Sequence, residues 1–509
     1  MLQGGALLAV VLTVPFAPFE LGRFSVPKEL ALHATACLAG LLSLGASRRL
    51  RPTRVDALLA AFLVAGLLSA LLAQNGWLAA RALAISVSGV ALFWVGRGLS
   101  AAGQTGPVVR ALAVSVVVAA GAALAQAYGL WLPLFTEERA PGGLLGNRNA
   151  VGHFAALGFP LVLFAALRAE RLRGLGLGAA GAARTVAALV LSPSRAAWLG
   201  VGVVLGILVA GVLLLAVRHR AGRLAGRAAV VLLVAAAGVA AALVLPNALV
   251  WTSDDPYRET AQNVLNFEEG SGQGRLVQYR TSLGIVAEDP VLGAGPGNWP
   301  VAYPAHAGPG DLSMSRHEAG RTTNPWPSSD WVALLTERGL VGALLLALAW
   351  LGLALGSARA LRRAETSESG LRALTLLALL GGTAAVGLFD AVLLLPWPTV
   401  VFWAAVGALW TGETAPSLVV PPSVRGAVLA LLALAAGLAA VRSGGQIAAM
   451  ALYTADRDLE RAAQLDPGNE RVRVRLAQRG GETGCAHALA AHALFPHAAT
   501  AERLARRCE

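Results

Sequence analysis

Charged residues are scarce in this chain. Of its 509 residues only 14% are charged and 56% are hydrophobic, and the mean hydropathy is +0.63. These values exclude a soluble globular protein and indicate a polytopic membrane protein. The net charge of +12 does not indicate nucleic-acid binding, because the arginines lie in short loops between apolar segments. No basic region precedes the first apolar stretch, so we expect it to begin a membrane span rather than a cleaved signal peptide.

Cysteines and clustered metal ligands are also few. Cys37 lies in an apolar segment and is expected to be inert packing. Cys485 and Cys508 lie in the polar C-terminal part and can pair if that part is extracytoplasmic, which the sequence leaves open. The sequence contains no cluster of residues with metal-ligand spacing. We therefore expect metal-independent chemistry and no cofactor.

Long apolar segments fill most of the chain, and about thirteen of them approach the roughly 20 residues that cross a bilayer as a helix. They lie at 2–18, 28–47, 55–73, 77–97, 107–130, 149–167, 174–193, 196–217, 227–250, 331–357, 371–389, 394–410 and 424–442. The predicted fold class is an all-α polytopic membrane protein with about thirteen transmembrane helices. Its expected parts are an N-terminal transmembrane bundle (1–250), a large loop (251–330), C-terminal transmembrane helices (331–442) and a small helical tail (443–509).

The arginines between these segments predict the orientation in the membrane. The arginine-rich loops follow the second, fourth, sixth, eighth and tenth segments, so all of them lie on one face, which the positive-inside rule assigns to the cytoplasm. The N-terminus is then cytoplasmic, and the 251–330 loop and the tail are extracytoplasmic. The loop agrees, because it holds ten Asp and Glu against five Arg. A large extramembrane loop usually carries the working surface of such a protein.

Two arginines fall on the outer face, where the positive-inside rule expects few. Arg195 lies at the outer end of the eighth segment, and Arg81 lies near the outer end of the fourth. Each is either an interfacial arginine whose charge reaches the lipid headgroups or a functional group. The sequence does not decide between these two readings.

Within the loop, residues 274–288 are predicted to form a helix that stops before Asp289-Pro290. Arg275 and Arg280 lie on different faces of it and are either solvated or functional. The glycines between Gly293 and Gly297 lack the strand–turn–helix context of a nucleotide site and predict a flexible turn. The apolar stripe with helical spacing consists of Leu276, Tyr279, Leu283 and Val286.

Further polar candidates flank the membrane spans. Asn147, Arg148 and Asn149 precede the sixth segment and either contact sugar or phosphate or supply the cap of that helix. Asp390 closes the eleventh segment near the outer face, where an ionisable group is a functional-site candidate unless it simply faces water. His153 is expected to be a buried, hydrogen-bonded histidine rather than a catalyst.

The tail has a different character from the spans. Short helical stretches are predicted at 448–465 and 472–476, and a turn with the sequence Asp-Pro-Gly-Asn joins them. Residues 462–469 look like the end of a tetratricopeptide-type helix pair. One such unit cannot bury its own apolar face, so we expect the tail to pack on the membrane domain, the loop or a partner.

The order of these motifs resembles the bacterial O-antigen ligase/polymerase superfamily, integral membrane glycosyltransferases that use polyprenyl-diphosphate-linked glycans. The resemblance covers roughly residues 140–410, and its specificity lies in the order of the motifs around one large outer loop. The matching motifs are Gly146-Asn147-Arg148-Asn149, Ser194-Arg195-Ala196-Ala197-Trp198, Gly274-Arg275 with Arg280, Asp289-Pro290 with Gly293-Ala294-Gly295-Pro296-Gly297, Asp330 with Leu334-Leu335-Thr336-Glu337-Arg338-Gly339-Leu340-Val341-Gly342, and Phe389-Asp390 with Pro396.

The resemblance implies that a glycan leaves its polyprenyl diphosphate and joins an acceptor hydroxyl at the periplasmic face of the bacterial inner membrane. Lipid A–core is the favoured acceptor, and a polysaccharide polymerase or a protein O-glycosylating enzyme is the alternative. Arg195 and Arg275 look similar to the family's diphosphate-binding arginines, with Arg280 and Arg81 as second candidates. The sequence predicts neither the sugar nor the oligomeric state.

One position departs from the family, which usually has a histidine where this chain has Ser328. Either another group acts as base or orienting group, with His317, Glu318 and Asp330 as candidates, or the chain is a divergent member with altered activity. Two other classes stay open. A transporter of lipid-linked intermediates predicts mid-span charges and an inverted repeat, of which the sequence shows little; the other class is a non-catalytic scaffold.

Overall fold

The structure is a computed structural model. It describes the chain except residues 17–21, 48–49, 136–140, 220–221, 252, 264–265, 267–269 and 413–419. Within the described residues the chain is helical, and its β-structure is limited to an isolated bridge between Met314 and Thr322. The predicted all-α class is confirmed.

The helices are numbered in chain order. They are α1 (Leu2–Val11), α2 (Gly22–Leu42), α3 (Leu44–Ser47), α4 (Arg54–Leu71), α5 (Gly76–Ala101), α6 (Thr105–Ala127), α7 (Arg148–Leu167), α8 (Leu172–Leu191), α9 (Arg195–Arg218), α10 (Gly222–Val244), α11 (Pro256–Gln262), α12 (Gly270–Glu288), α13 (Trp299–Ala302), α14 (Asp330–Arg362), α15 (Ser367–Gly387), α16 (Pro396–Leu409), α17 (Pro422–Thr454), α18 (Leu459–Leu465), α19 (Glu470–Arg479), α20 (Gly484–Leu494) and α21 (Ala499–Ala505). Two short 3-10 turns lie at Gly143–Leu145 and Tyr303–Ala305.

Each of the thirteen predicted segments coincides with a helix, namely α1, α2, α4 to α10 and α14 to α17. Ten of these helices in the described part of the chain are long and apolar enough to cross a membrane. Helices α1 and α16 have only 10 and 14 residues. Helix α2 contains Arg23, Lys28 and Glu29, which lower its hydropathy. The polytopic helical fold is therefore confirmed, and the described residues include ten helices of membrane-spanning length.

Arginine-rich helix ends lie together on one side of the bundle. Arg97 near the end of α5 pairs with Asp56 at the start of α4. Arg168 after α7 pairs with Glu368 at the start of α15 at 2.6 Å. The opposite helix ends carry residues 251–330 and the tail, and we call that side the loop face.

Helix α14 is interrupted at Gly339, and the glycine-rich loop packs into the interruption. Gly339 has φ 61° and ψ −171°, so the helix loses its own hydrogen bonds there. The loop replaces them, because Ala294 N–H donates to the carbonyl of Thr336 at 2.9 Å and Leu340 N–H donates to the carbonyl of Pro290 at 2.8 Å. The segment between Gly293 and Gly297, expected to be a flexible turn, is thus packed against α14 and supports this helix at its interruption.

This junction gives the first testable prediction. A Cβ at Gly339 would lie 2.3 Å from the carbonyl oxygen of Val291, and the positive φ disfavours any side chain. We expect Gly339→Ala to lower the midpoint of thermal unfolding of the purified protein clearly, since such backbone strain costs roughly 1–3 kcal/mol before the clash is added. Gly202→Ala on α9, where a Cβ meets nothing within 4 Å, is the matched control. Equal midpoints for the two variants would contradict the account.

The tail packs on both the membrane helices and the loop. Helix α17 runs to Thr454, beyond the predicted span end, and four short helices follow it. The Trp77 Nε1–H donates to the Asp466 carboxylate at 2.7 Å, and Ala499 N–H donates to the carbonyl of Ala319 at 3.0 Å. A disulfide joins the start of α20 to the chain end, between Cys485 and Cys508.

Candidate functional site

Helix α12 lies along α14 at the loop face. It ends at Glu288, as predicted, and begins four residues before the predicted start. Its stripe residues Leu276, Tyr279, Leu283 and Val286 all line a shallow apolar groove against α14. Arg280 is exposed and lines the same groove.

Tyr279 and Gln278 hold α12 against the neighbouring segments. The Tyr279 hydroxyl lies 2.8 Å from the carbonyl oxygen of Ser328 and 2.7 Å from that of Leu388. Burial raises the pKa of Tyr279 to about 12, so the hydroxyl is a donor at neutral pH. The Gln278 side chain accepts from Ser328 N–H at 2.7 Å. Ser328, where the family usually has histidine, is therefore fixed through its backbone.

A polar cluster lies where the loop-face ends of α7, α9 and α15 meet. The His153 Nε2 is 3.2 Å from the Ser194 hydroxyl and 3.8 Å from an Asp390 carboxylate oxygen. The Asn149 side-chain amide donates to the same Asp390 oxygen at 3.4 Å. His153 is buried, as expected, whereas the Asp390 side chain keeps 20% of its surface exposed. The cluster thus combines a buried imidazole with a carboxylate that solvent or a substrate can reach.

Both first-rank arginines border this polar cluster. Arg275 lies in the first half of α12, and its charge interacts with His153 and with Tyr279. Its Nε–H is buried and has no hydrogen-bond partner among the described residues. Arg195 directly follows Ser194, which caps α9, and donates to the carbonyl of Asn266 at 3.2 Å, four residues before α12 begins. Arg195 thus contacts the segment that precedes α12, and Arg275 lies on α12 itself.

Asp330 is buried and binds backbone. One carboxylate oxygen accepts from the N–H groups of Val392 and Leu393, both at 2.9 Å, and the other accepts from Val392 at 3.0 Å. Its side chain also contacts Gly387, where a Cβ would lie 2.9 Å from the carboxylate. Asp330 thereby fixes the segment between α15 and α16, which carries Asp390, and its geometry suits an orienting group.

Asn147 and Arg148 adjoin the cluster in the chain, but their side chains make other contacts. Asn147 uses its side-chain oxygen to accept from Asn149 N–H at 2.7 Å, so it caps α7. The Arg148 guanidinium lies 5.9 Å from the centre of the Trp251 ring, a cation–π contact.

Arg81 and His317 lie elsewhere on the loop face. Arg81 pairs with Glu29 at 2.6 Å and lines a different cavity, lined also by residues of the tail. His317 is exposed, and the residues that follow it pack on the tail through Glu318 and Ala319. No described contact joins His317 to Arg275 or Asp390. His153 was not predicted as a site residue. The only signal in the sequence is its position one helical turn after Asn149.

Residues 179–347 match a family model described as O-antigen ligase. The matched range contains Arg195, Arg275 and Asp330, whereas His153 and Asp390 lie outside it. A search of curated proteins finds no match for the chain.

Proposed function

We propose that this chain, whose residues 179–347 match the O-antigen ligase family model, transfers a polyprenyl-diphosphate-linked glycan to an acceptor hydroxyl. The observation that carries this proposal is the position of Arg195 and Arg275 beside the polar cluster of His153 and Asp390. Lipid A–core is the proposed acceptor, because the matching family is described as a ligase. Polymerisation of the glycan and transfer to a protein hydroxyl are the alternatives.

The arginines are proposed to hold the donor diphosphate. During transfer the acceptor oxygen forms a bond to the anomeric carbon of the glycan, and the bond from that carbon to the diphosphate oxygen breaks. The electron pair leaves with the polyprenyl diphosphate. Guanidinium groups match phosphate oxygens in shape and charge, so Arg195 and Arg275 stabilise the charge that develops on this leaving group.

Asp390 is proposed to take the proton of the acceptor hydroxyl. Its carboxylate is the exposed member of the polar cluster, and Asn149 and His153 hold it from the inner side. His153 in turn contacts Ser194, the residue before Arg195. His153 therefore connects the proposed base to the proposed diphosphate site. This arrangement offers a base that does not depend on the histidine replaced by Ser328.

The loop face is proposed to be the periplasmic face of the inner membrane. The arginine-rich helix ends lie opposite it, as the positive-inside rule requires of a cytoplasmic side. The disulfide between Cys485 and Cys508 supports the same orientation, because disulfides persist in oxidising compartments.

Reconstitution tests the proposed function. The purified protein in liposomes is given a glycan on polyprenyl diphosphate together with lipopolysaccharide that ends at the core. We expect glycosylated lipid A–core and an equal amount of free polyprenyl diphosphate. A longer glycan still attached to the polyprenyl carrier would indicate the polymerase alternative. Movement of the donor across the bilayer without any transfer would contradict the proposal and favour a transporter.

A further inference from the structure

A second cavity lies at the loop face, between the tail, the loop and the ends of α2 and α5. Its volume is about 120 Å³, close to the roughly 150 Å³ of an engineered cavity that holds a benzene ring. Arg81 and Trp326 contribute to its walls, as do Glu470 and Phe495 of the tail. The cavity therefore has room for a ring-sized group, and the tail forms one of its walls.

The charges on the cavity walls balance. Arg81 pairs with Glu29, and Arg321 pairs with Glu470. Glu337 accepts from Gly297 N–H at 2.8 Å. The charged lining residues are three arginines and three glutamates, namely Arg81, Arg321, Arg471, Glu29, Glu337 and Glu470. A wall without net charge does not suit a diphosphate, in contrast to the region around Arg195 and Arg275.

The remaining lining combines aromatic rings with hydroxyl groups. Trp326 and Phe495 are both half-buried and line the cavity, and the Arg321 guanidinium lies 4.9 Å from the centre of the Phe495 ring. Ser25, Ser86 and Thr322 are hydroxyl-bearing residues of the same lining, and the hydroxyls of Ser86 and Thr322 also donate to backbone carbonyls. A sugar ring has an apolar face of C–H groups and a rim of hydroxyls, so aromatic surfaces together with ion-paired and hydroxyl groups match its chemistry.

The cavity borders the same chain segment as the polar cluster. Leu393 to Pro396 form part of its wall, and Asp390 lies three residues before Leu393. Asp330 binds the N–H groups of Val392 and Leu393 between them. The segment that Asp330 fixes therefore contributes Asp390 to the polar cluster and Leu393 to Pro396 to the cavity wall.

We propose that this cavity binds a neutral sugar ring of the acceptor and that the tail contributes to acceptor recognition. The inference rests on the proposed glycan transfer and adds the place where a sugar of the acceptor binds. Donor and acceptor then occupy separate sites, one cationic and one without net charge. The tail then forms part of the acceptor site.

Calorimetry on the full-length protein in nanodiscs tests this proposal. The probe is the dephosphorylated oligosaccharide released by mild acid from the lipopolysaccharide core of the source bacterium. We expect the wild type to bind it, and Trp326→Leu and Phe495→Leu to bind at least tenfold more weakly. Trp326→Tyr keeps an aromatic face and should bind within threefold of wild type, and Arg258→Ala, at an exposed position on α11, should bind unchanged. Thermal unfolding of each variant checks that the tail and loop remain folded.

Several results would overturn the proposal. They are the absence of binding to the wild type, equal binding by the leucine variants, and a comparable loss in Arg258→Ala. In the reconstituted transfer reaction, Phe495→Leu should raise the KM for the acceptor about tenfold and leave that for the donor unchanged. Absence of transfer by the wild type would instead reject the proposed function, so the two failures are distinguishable.

Discussion

Arg275→Ala is expected to reduce glycan transfer by a factor on the order of 10²–10³, the size of effect seen when one group that stabilises transition-state charge is removed. The Arg275 side chain borders the polar cluster, and its Nε–H has no hydrogen-bond partner in the described part of the chain. This donor is therefore not used by another group in the described part of the chain. The measurement is the initial rate of transfer by purified protein at saturating acceptor.

Matched substitutions show whether the loss is specific to that position. Arg258 is an exposed arginine of the same loop, on α11, and Arg258→Ala should transfer at the wild-type rate. Arg275→Lys keeps the charge but loses the planar fork of donors, so it should recover only part of the activity. Arg195→Ala should resemble Arg275→Ala. Wild-type rates in both alanine variants would contradict the assigned diphosphate site.

Asp390→Asn should produce the second large loss, about 10²–10⁴-fold in transfer rate, because the amide cannot accept the hydroxyl proton. The amide retains the size of the carboxylate, so the fold and the binding of donor should not change. The measurement is the single-turnover rate with donor already bound, together with donor affinity.

An exposed carboxylate provides the control for Asp390. Asp289 follows α12 at the loop face and is exposed, and Asp289→Asn should leave the transfer rate unchanged. Reduced donor affinity in Asp390→Asn, with an unchanged single-turnover rate, would reassign Asp390 to donor binding. Normal values of both quantities would remove it from the site.

The sequence predicted the helices well because the bilayer imposes a simple rule on length and polarity. Each of the thirteen apolar segments is a helix in the structure. Proline and capping residues set the boundaries of several helices. Helix α12 ends immediately before Asp289-Pro290, and α16 begins at Pro396, whose missing N–H is harmless in the first turn.

The arrangement of the site was less accessible, because it depends on which helix ends meet. His153, Arg275 and Asp390 are separated by more than a hundred positions along the chain, and no local pattern joins them. The glycine-rich loop was misread for a similar reason. Its glycines permit flexibility, but they also allow the close approach to the interrupted α14, where a Cβ at Gly293 would lie 2.6 Å from backbone of Glu337.

The packing of the tail could not be predicted from the sequence either. The sequence predicted helices at 448–465 and 472–476, whereas the structure divides the first between α17 and α18 and adds α20 and α21. The contacts of the tail with Trp77 and the loop depend on the tertiary structure. The tail lines part of the cavity, and a sequence cannot indicate that Trp326 and Phe495 line one space.

The central claim is that two arginines at the loop face bind a lipid-borne diphosphate. Its most direct test is native mass spectrometry of the full-length protein in nanodiscs with glycan-free polyprenyl diphosphate. The account predicts one bound lipid on the wild type and on Phe495→Leu, and at least a hundredfold weaker binding to the double variant Arg195→Ala/Arg275→Ala. Equal occupancy of the double variant and the wild type would contradict it.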